Sequence, residues 1–132
     1  MSRMKHTTHR KEVESMKKKE LMAKAAFLEK LGNLLDGGLP LLGSLELLEA
    51  ETTDGRTKKA IQHMVKYITD MHTPDGKQKS EFEFTLTLDP DYFLPAEIQM
   101  LVVGAKAGRL DRAILSVANW VDRELSYKSA SR

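Results

Sequence analysis

Four histidines are the side chains best suited to metal or acid-base chemistry in this chain, and their spacing argues against both uses. His6 and His9 stand three apart and would share a helix face, yet two ligands on a segment poor in large apolar residues make a weak metal site. His63 and His72 are nine apart, about two and a half helical turns, which puts them on opposite sides of any helix containing both. There is no cysteine, which removes thiol catalysis, cysteine zinc sites and a disulfide framework at once. The sequence also lacks a phosphate-binding loop, a His-Glu-x-x-His pair and a nucleophile elbow. Met64 and Met71 fall on a helical apolar stripe, where a thioether serves as core filler. The sequence therefore assigns no catalytic residue, no metal ligand and no cofactor-binding residue. What remains is contact chemistry, with Arg109, Arg112 and Arg123 as the candidate partner-binding charges on the later helices.

The elements that carry these residues read as helices. A chain of 132 residues is the size of one domain and can bury a core without a metal or disulfide staple. No run approaches the ~18 apolar residues needed to span a bilayer, and the N-terminus lacks the apolar stretch of a signal peptide. Its formal charge of +2 hides an asymmetry, since residues 1–24 hold eight Lys or Arg against three Glu and the remainder thirteen against sixteen acidic groups. Residues 1–19, with the run Lys17-Lys18-Lys19, read as a basic mobile arm whose end can become helical, either a solvated tail or a contact for anionic lipid or a partner. Residues 20–127 read as the helical domain and residues 128–132 as a polar tail.

Within that domain, Leu21, Ala25, Leu28, Leu31 and Leu35 line one face of a first helix, flanked by Phe27 and Leu34. Gly37 and Gly38 can take the positive φ that closes it, and Pro40 suits the start of a second helix bearing Leu41, Leu42, Leu45 and Leu48. Thr52, Thr53, Asp54 and Gly55 form a turn before a third helix over 56–71, with Ala60, Ile61, Met64, Val65 and Ile68 inward. Phe82, Phe84, Leu86 and Leu88 alternate with polar residues like a half-buried strand. No second alternating run exists to pair with it, so a short helix anchored by Phe82 and Leu86 is the favoured reading, with pairing to a second copy as the other. Pro95 opens a helix through Ile98, Leu101 and Val102. Gly104 to Gly108 then form a tight turn before a last helix from Leu110 to about Tyr127, with Ile114, Val117, Ala118, Val121 and Leu125 on one face. Amphipathic helices on short connections imply antiparallel packing in a bundle.

Two glycine-bearing stretches, about seventy residues apart, carry a family resemblance. Leu34, Leu35, Gly37, Pro40, Leu41 and Leu45 resemble the leucine-leucine-x-alanine-glycine-x-proline-leucine-leucine pattern of the F-type domain of bacterial type II secretion and type IV pilus inner-membrane platform proteins. Pro90, Phe93, Pro95, Gly104, Gly108, Leu110 and Asp111 follow in the order and spacing of that family's second pattern, and the similarity runs roughly from Ala25 to Glu124. The sequence departs from the family in three places. Asp36 stands where the family has a small side chain, and Lys77 to Glu83 replace a glycine-x-serine-leucine-serine segment. Ala105 stands at the family's acidic position, so a cation-binding role attached to that carboxylate lacks its ligand here.

The resemblance implies an all-α, antiparallel six-helix bundle on the cytoplasmic face of the inner membrane, non-catalytic, contacting the assembly ATPase and other inner-membrane assembly proteins. Membrane attachment would come through segments absent from this chain, which reads as a soluble fragment. Gly37, Pro40, Leu41, Pro90, Phe93, Gly104, Gly108, Leu110 and Asp111 would be signatures of geometry and not a site. The alternatives are a stand-alone helical adaptor or a homodimerisation module, and self-association is left open by the leucine-rich hairpin. A nucleic-acid module is disfavoured, because the part beyond the arm is slightly acidic and the arm alone would account for non-specific binding.

Overall fold

A computed structural model of the chain describes residues 16–70 and 81–130. The described residues form six helices and no strand: α1 (Lys18–Asp36), α2 (Leu41–Glu51), α3 (Gly55–Asp70), α4 (Glu81–Thr85), α5 (Pro95–Lys106) and α6 (Leu110–Ala130). The all-α expectation holds. His6, His9, Met71 and His72 lie outside the described residues.

The most extensive packing is between α1 and α6. Around that pair, α2 and α3 pack on α1 and on each other, while α5 packs on α6 and carries α4. Leu21, Ala25, Phe27, Leu28 and Leu31 of α1 are buried against a core that includes Leu45 and Leu48, Ile61 and Met64, Leu101, and Leu110, Ile114, Val117 and Val121. Each large aliphatic side chain taken fully from water contributes roughly 1.5–3 kcal/mol, which makes this apolar seam the main reason the helices stay together. Met16 is fully buried as well. The folded part thus begins before the composition changes at Glu20, and α1 itself starts at Lys18, inside the segment expected to be an arm. At the other end α6 continues to Ala130, so the expected polar tail begins as helix.

Helix ends follow from local chemistry. The Glu20 carboxylate accepts the Lys17 backbone N–H at 2.8 Å, and the Asp54 carboxylate caps α3 by accepting the Thr57 N–H at 3.0 Å. α1 and α5 end alike. In the first, the Leu39 N–H bonds back to the Leu34 carbonyl and Gly38 to Leu35; in the second, Arg109 bonds to Gly104 and Gly108 to Ala105. Each pair of bonds requires a left-handed residue just past the helix, supplied by Gly38 (φ 91°) and Gly108 (φ 70°). Gly37, by contrast, has φ −78°. The positive φ that closes α1 belongs to its neighbour.

Two expectations need correction. The Phe82 side chain lies outside the described residues; Phe84 and the following Leu88 are buried, while Leu86, the other expected anchor of the short α4, is 53 % exposed. Its register differs because the chain turns after Thr85, with the Thr87 N–H and Oγ1 both bonded to the Phe84 carbonyl. Gly104 is not in a turn; it lies inside α5. A Cβ there would collide with the Cβ of Ala113, so glycine lets α5 and α6 approach at that level. Gly32 does the same for α1, where an added Cβ would meet Leu115 at 2.7 Å.

Candidate functional site

The strongest concentration of polar chemistry is in the core. Lys24 projects from the apolar face of α1 and is fully buried. Its Nζ donates to Glu97 Oε1 at 2.8 Å and to the Tyr92 carbonyl at 2.7 Å, and it sits 5.1 Å from the centroids of both the Tyr92 and Phe93 rings. Glu97 is the third residue of α5, and the same oxygen accepts the Leu94 N–H at 2.9 Å. That carboxylate caps α5, gains from the positive end of the helix dipole and neutralises the lysine. The Tyr92 hydroxyl shares a 2.6 Å hydrogen bond with Thr57 Oγ1, which carries the network to α3.

Burial pushes the Lys24 ammonium below its ordinary 10.5, and the Glu97 carboxylate opposes that shift. Burial also raises the Tyr92 phenol above its usual range, because a phenolate there would lose its hydration. A lysine with a lowered pKa is a recognised nucleophile or base when a substrate can reach it. Here both pair members have side chains no more than 2 % exposed, and Glu97 and a carbonyl already occupy the ammonium. The arrangement ties α1, the loop over 89–94, α5 and α3 together; it presents nothing to a substrate.

Over this cluster lies an open cleft of about 400 Å³, lined by Arg56, Lys59, Ala60 and His63 of α3 and by Asp89, Asp91 and Tyr92. Arg56 also approaches Glu20 at 3.8 Å across half-exposed surface, a contact of small energetic weight. Among the described residues no group of three His, Asp or Glu side chains gathers in a way that could hold a metal ion.

The residues singled out from the sequence are distributed differently. Phe93 and Leu110 are fully buried, Phe93 against Lys24; Leu41 is half-buried, and Gly37, Pro40 and Pro90 are exposed at helix ends and the loop. Asp111 sits in the first turn of α6, its backbone carbonyl facing Gly32. Gly104, Gly108 and Arg109 form the α5–α6 corner. Arg109, Arg112 and Arg123 are all exposed, the last two on α6. Lys24, Glu97, Tyr92 and Thr57 escaped sequence reasoning as a set. A trace existed: Lys24 falls between Leu21 and Leu28 on the apolar stripe, and Glu97 stands two residues after a helix-opening proline.

Residues 27–132 match the protein family described as Type II secretion system (T2SS), protein F. No match to the chain is found among curated proteins. Among the described residues no helix is long and apolar enough to cross a membrane.

Proposed function

The chain belongs to the type II secretion system protein F family, whose domains are parts of inner-membrane secretion and pilus machinery, and from that premise we propose that it is a non-catalytic interaction domain of an inner-membrane platform protein. The observation that carries this reading is the family match from residue 27 to residue 132, which takes in all or part of every described helix. The domain works on the cytoplasmic face of the membrane, transmitting contact between the assembly ATPase and the platform. Its mechanism is surface complementarity on a rigid scaffold, consistent with a polar network that is consumed internally.

An antiparallel six-helix bundle is the arrangement that suits this role. Two relations favour it for α1 and α6: Gly32, late in α1, faces Asp111 and Leu115 early in α6, while Lys24, early in α1, feels the charge of Glu124 late in α6. Rigid helices of this kind present side chains at fixed spacing to a partner. The partner-facing charges are Arg109, Arg112 and Arg123. A pull-down with the cognate ATPase tests the reading: the folded domain retains the ATPase, and charge reversal at all three arginines releases it and stops pilus assembly or secretion. Unchanged binding and assembly in the triple variant would remove this face from the proposal.

A further inference from the structure

Between Lys30 and Arg56 the chain has no basic residue and five acidic ones, Asp36, Glu46, Glu49, Glu51 and Asp54, and α2 lies wholly within that stretch. Counting on through Lys58 still leaves a net charge of −3. At about 100° per residue, Gly43, Glu46, Leu47 and Ala50 fall within an arc of roughly 100° on α2, and all four are exposed. Leu47 is 47 % exposed, Leu39 just before α2 is 43 % exposed, and a Cβ added at Gly43 would meet nothing within 4 Å. Among the described residues Glu46, Glu49 and Glu51 make no ion pair, and Arg56, the next basic residue, turns to Glu20 and the cleft. The chain's other long run without Lys or Arg, residues 80–105, is compensated: Lys24 neutralises Glu97, while Asp89 and Asp91 share the cleft with Arg56 and Lys59. The α2 face is acidic and apolar at once, with no cation of its own.

We propose that this face of α2 is the docking site of the chain's own residues 1–15, with Arg10 and Lys11 at Glu49 and Glu51, Arg3 and Lys5 at Glu46, and Met4 over Leu47. Sign, attachment and length select this occupant. Residues 1–11 hold four Lys or Arg and no acidic group, while Glu12 and Glu14 fall nearest the attachment, beside exposed Lys17, Lys18 and Lys19. Met16, fully buried, marks where the segment joins the core. Arg56, at the start of α3, comes within 3.8 Å of Glu20 at the start of α1, and α3 begins four residues after α2 ends. The acidic end of α2 therefore lies at the end of the molecule from which residues 1–15 depart. Those residues can span up to about 50 Å, three times the roughly 16 Å length of α2, and a short tether holds them at millimolar effective concentration. An anionic membrane or a nucleic-acid backbone has the wrong sign for this face, and a second copy docking by the same face would set glutamate against glutamate. Docked there, the segment shields α2 from other basic partners.

The chain has no cysteine, so Thr8→Cys takes a single nitroxide label on the full-length protein. In amide NMR spectra the label should broaden Gly43 to Glu51 above the rest of the surface, and the effect should fade as salt is raised. Glu46→Lys with Glu51→Lys should cut that broadening about threefold or more at an unchanged melting temperature, and so should Arg3→Glu, Lys5→Glu, Arg10→Glu and Lys11→Glu together. The two sets combined should restore it, a rescue that a merely misfolded variant would not give. A control reversal at exposed Glu29 and Asp122 should leave it nearly unchanged. Even broadening over the whole surface, broadening centred on the loop at 89–91, equal loss in the control, or no rescue in the combined variant would each overturn the proposal. So would broadening of isotope-labelled, spin-free protein mixed with spin-labelled protein, because the segment would then sit on a second copy.

Discussion

Replacing Lys24 by methionine keeps the length of the side chain and removes its charge, leaving Glu97 buried beside an apolar group. The expected loss is about 3–5 kcal/mol in urea unfolding, the usual cost of orphaning one member of a buried ion pair. Lys24→Met combined with Glu97→Gln should recover much of that, since glutamine still accepts the Leu94 N–H that caps α5. The pH dependence has two opposed parts. Lys24, with a folded pKa below 10.5, costs stability while it must stay charged, so that cost is relieved as pH rises from its folded pKa towards 10.5. Tyr92, with a folded pKa above 10.0, keeps its proton when the unfolded chain has lost it, so stability falls as pH rises past that value. Tyr92→Phe should therefore flatten the loss above pH 10 in a series of denaturation curves, at the expense of leaving Thr57 Oγ1 without its partner at every pH. Residue types left only a trace of this, Lys24 on the apolar stripe and Glu97 just after Pro95. A lysine on an apolar stripe reads as a solvated charge until its carboxylate is found 73 positions away.

At the scale of elements, the two stretches that carry the family resemblance turn out to be one device used twice. α1 and α5 close with the same pair of backbone bonds around a left-handed glycine, and in both cases the next helix begins within a few residues. Gly38→Ala and Gly108→Ala should each cost about 1–2 kcal/mol in thermal or urea melts, whereas Gly37→Ala, at φ −78°, should be nearly neutral. Gly104 acts through packing instead. Gly104→Ala should destabilise by roughly 1–3 kcal/mol, and Ala113→Gly in the same chain should restore most of it by vacating the colliding Cβ. Helix positions and breaks were readable because period and glycine-proline punctuation are local. The register of α4 was not, because Phe82, Phe84, Leu86 and Leu88 satisfy two templates and only the turn after Thr85 leaves Leu86 exposed with Phe84 and Leu88 buried. Whether Gly104 made a turn or a close approach depended on Ala113, which only tertiary packing brings near it.

For the molecule as a whole, α1 is the hub, in contact with α6, α2 and α3, so its first turn matters to everything. A chain shortened into that turn should lose stability. One starting at residue 20 loses Met16 and the Lys17–Glu20 cap and should be destabilised by about 2–5 kcal/mol, measured by calorimetry. Composition makes Lys17 to Lys19 look like a solvated arm, while the methionine before them is in the core. The Lys24 contacts with Tyr92 and Glu97 span 68 and 73 residues, and they bear on time as well as on strength. Local turns close early and cheaply, but stripping water from an ammonium is favourable only once the loop over 89–94 and the start of α5 are both in place. The pair is therefore expected to form after the rate-limiting step of folding and to act as a latch on the way out. Lys24→Met should accelerate unfolding in stopped-flow experiments while leaving refolding nearly unchanged, so the buried pair sets how long the folded domain lasts more than how quickly it is reached.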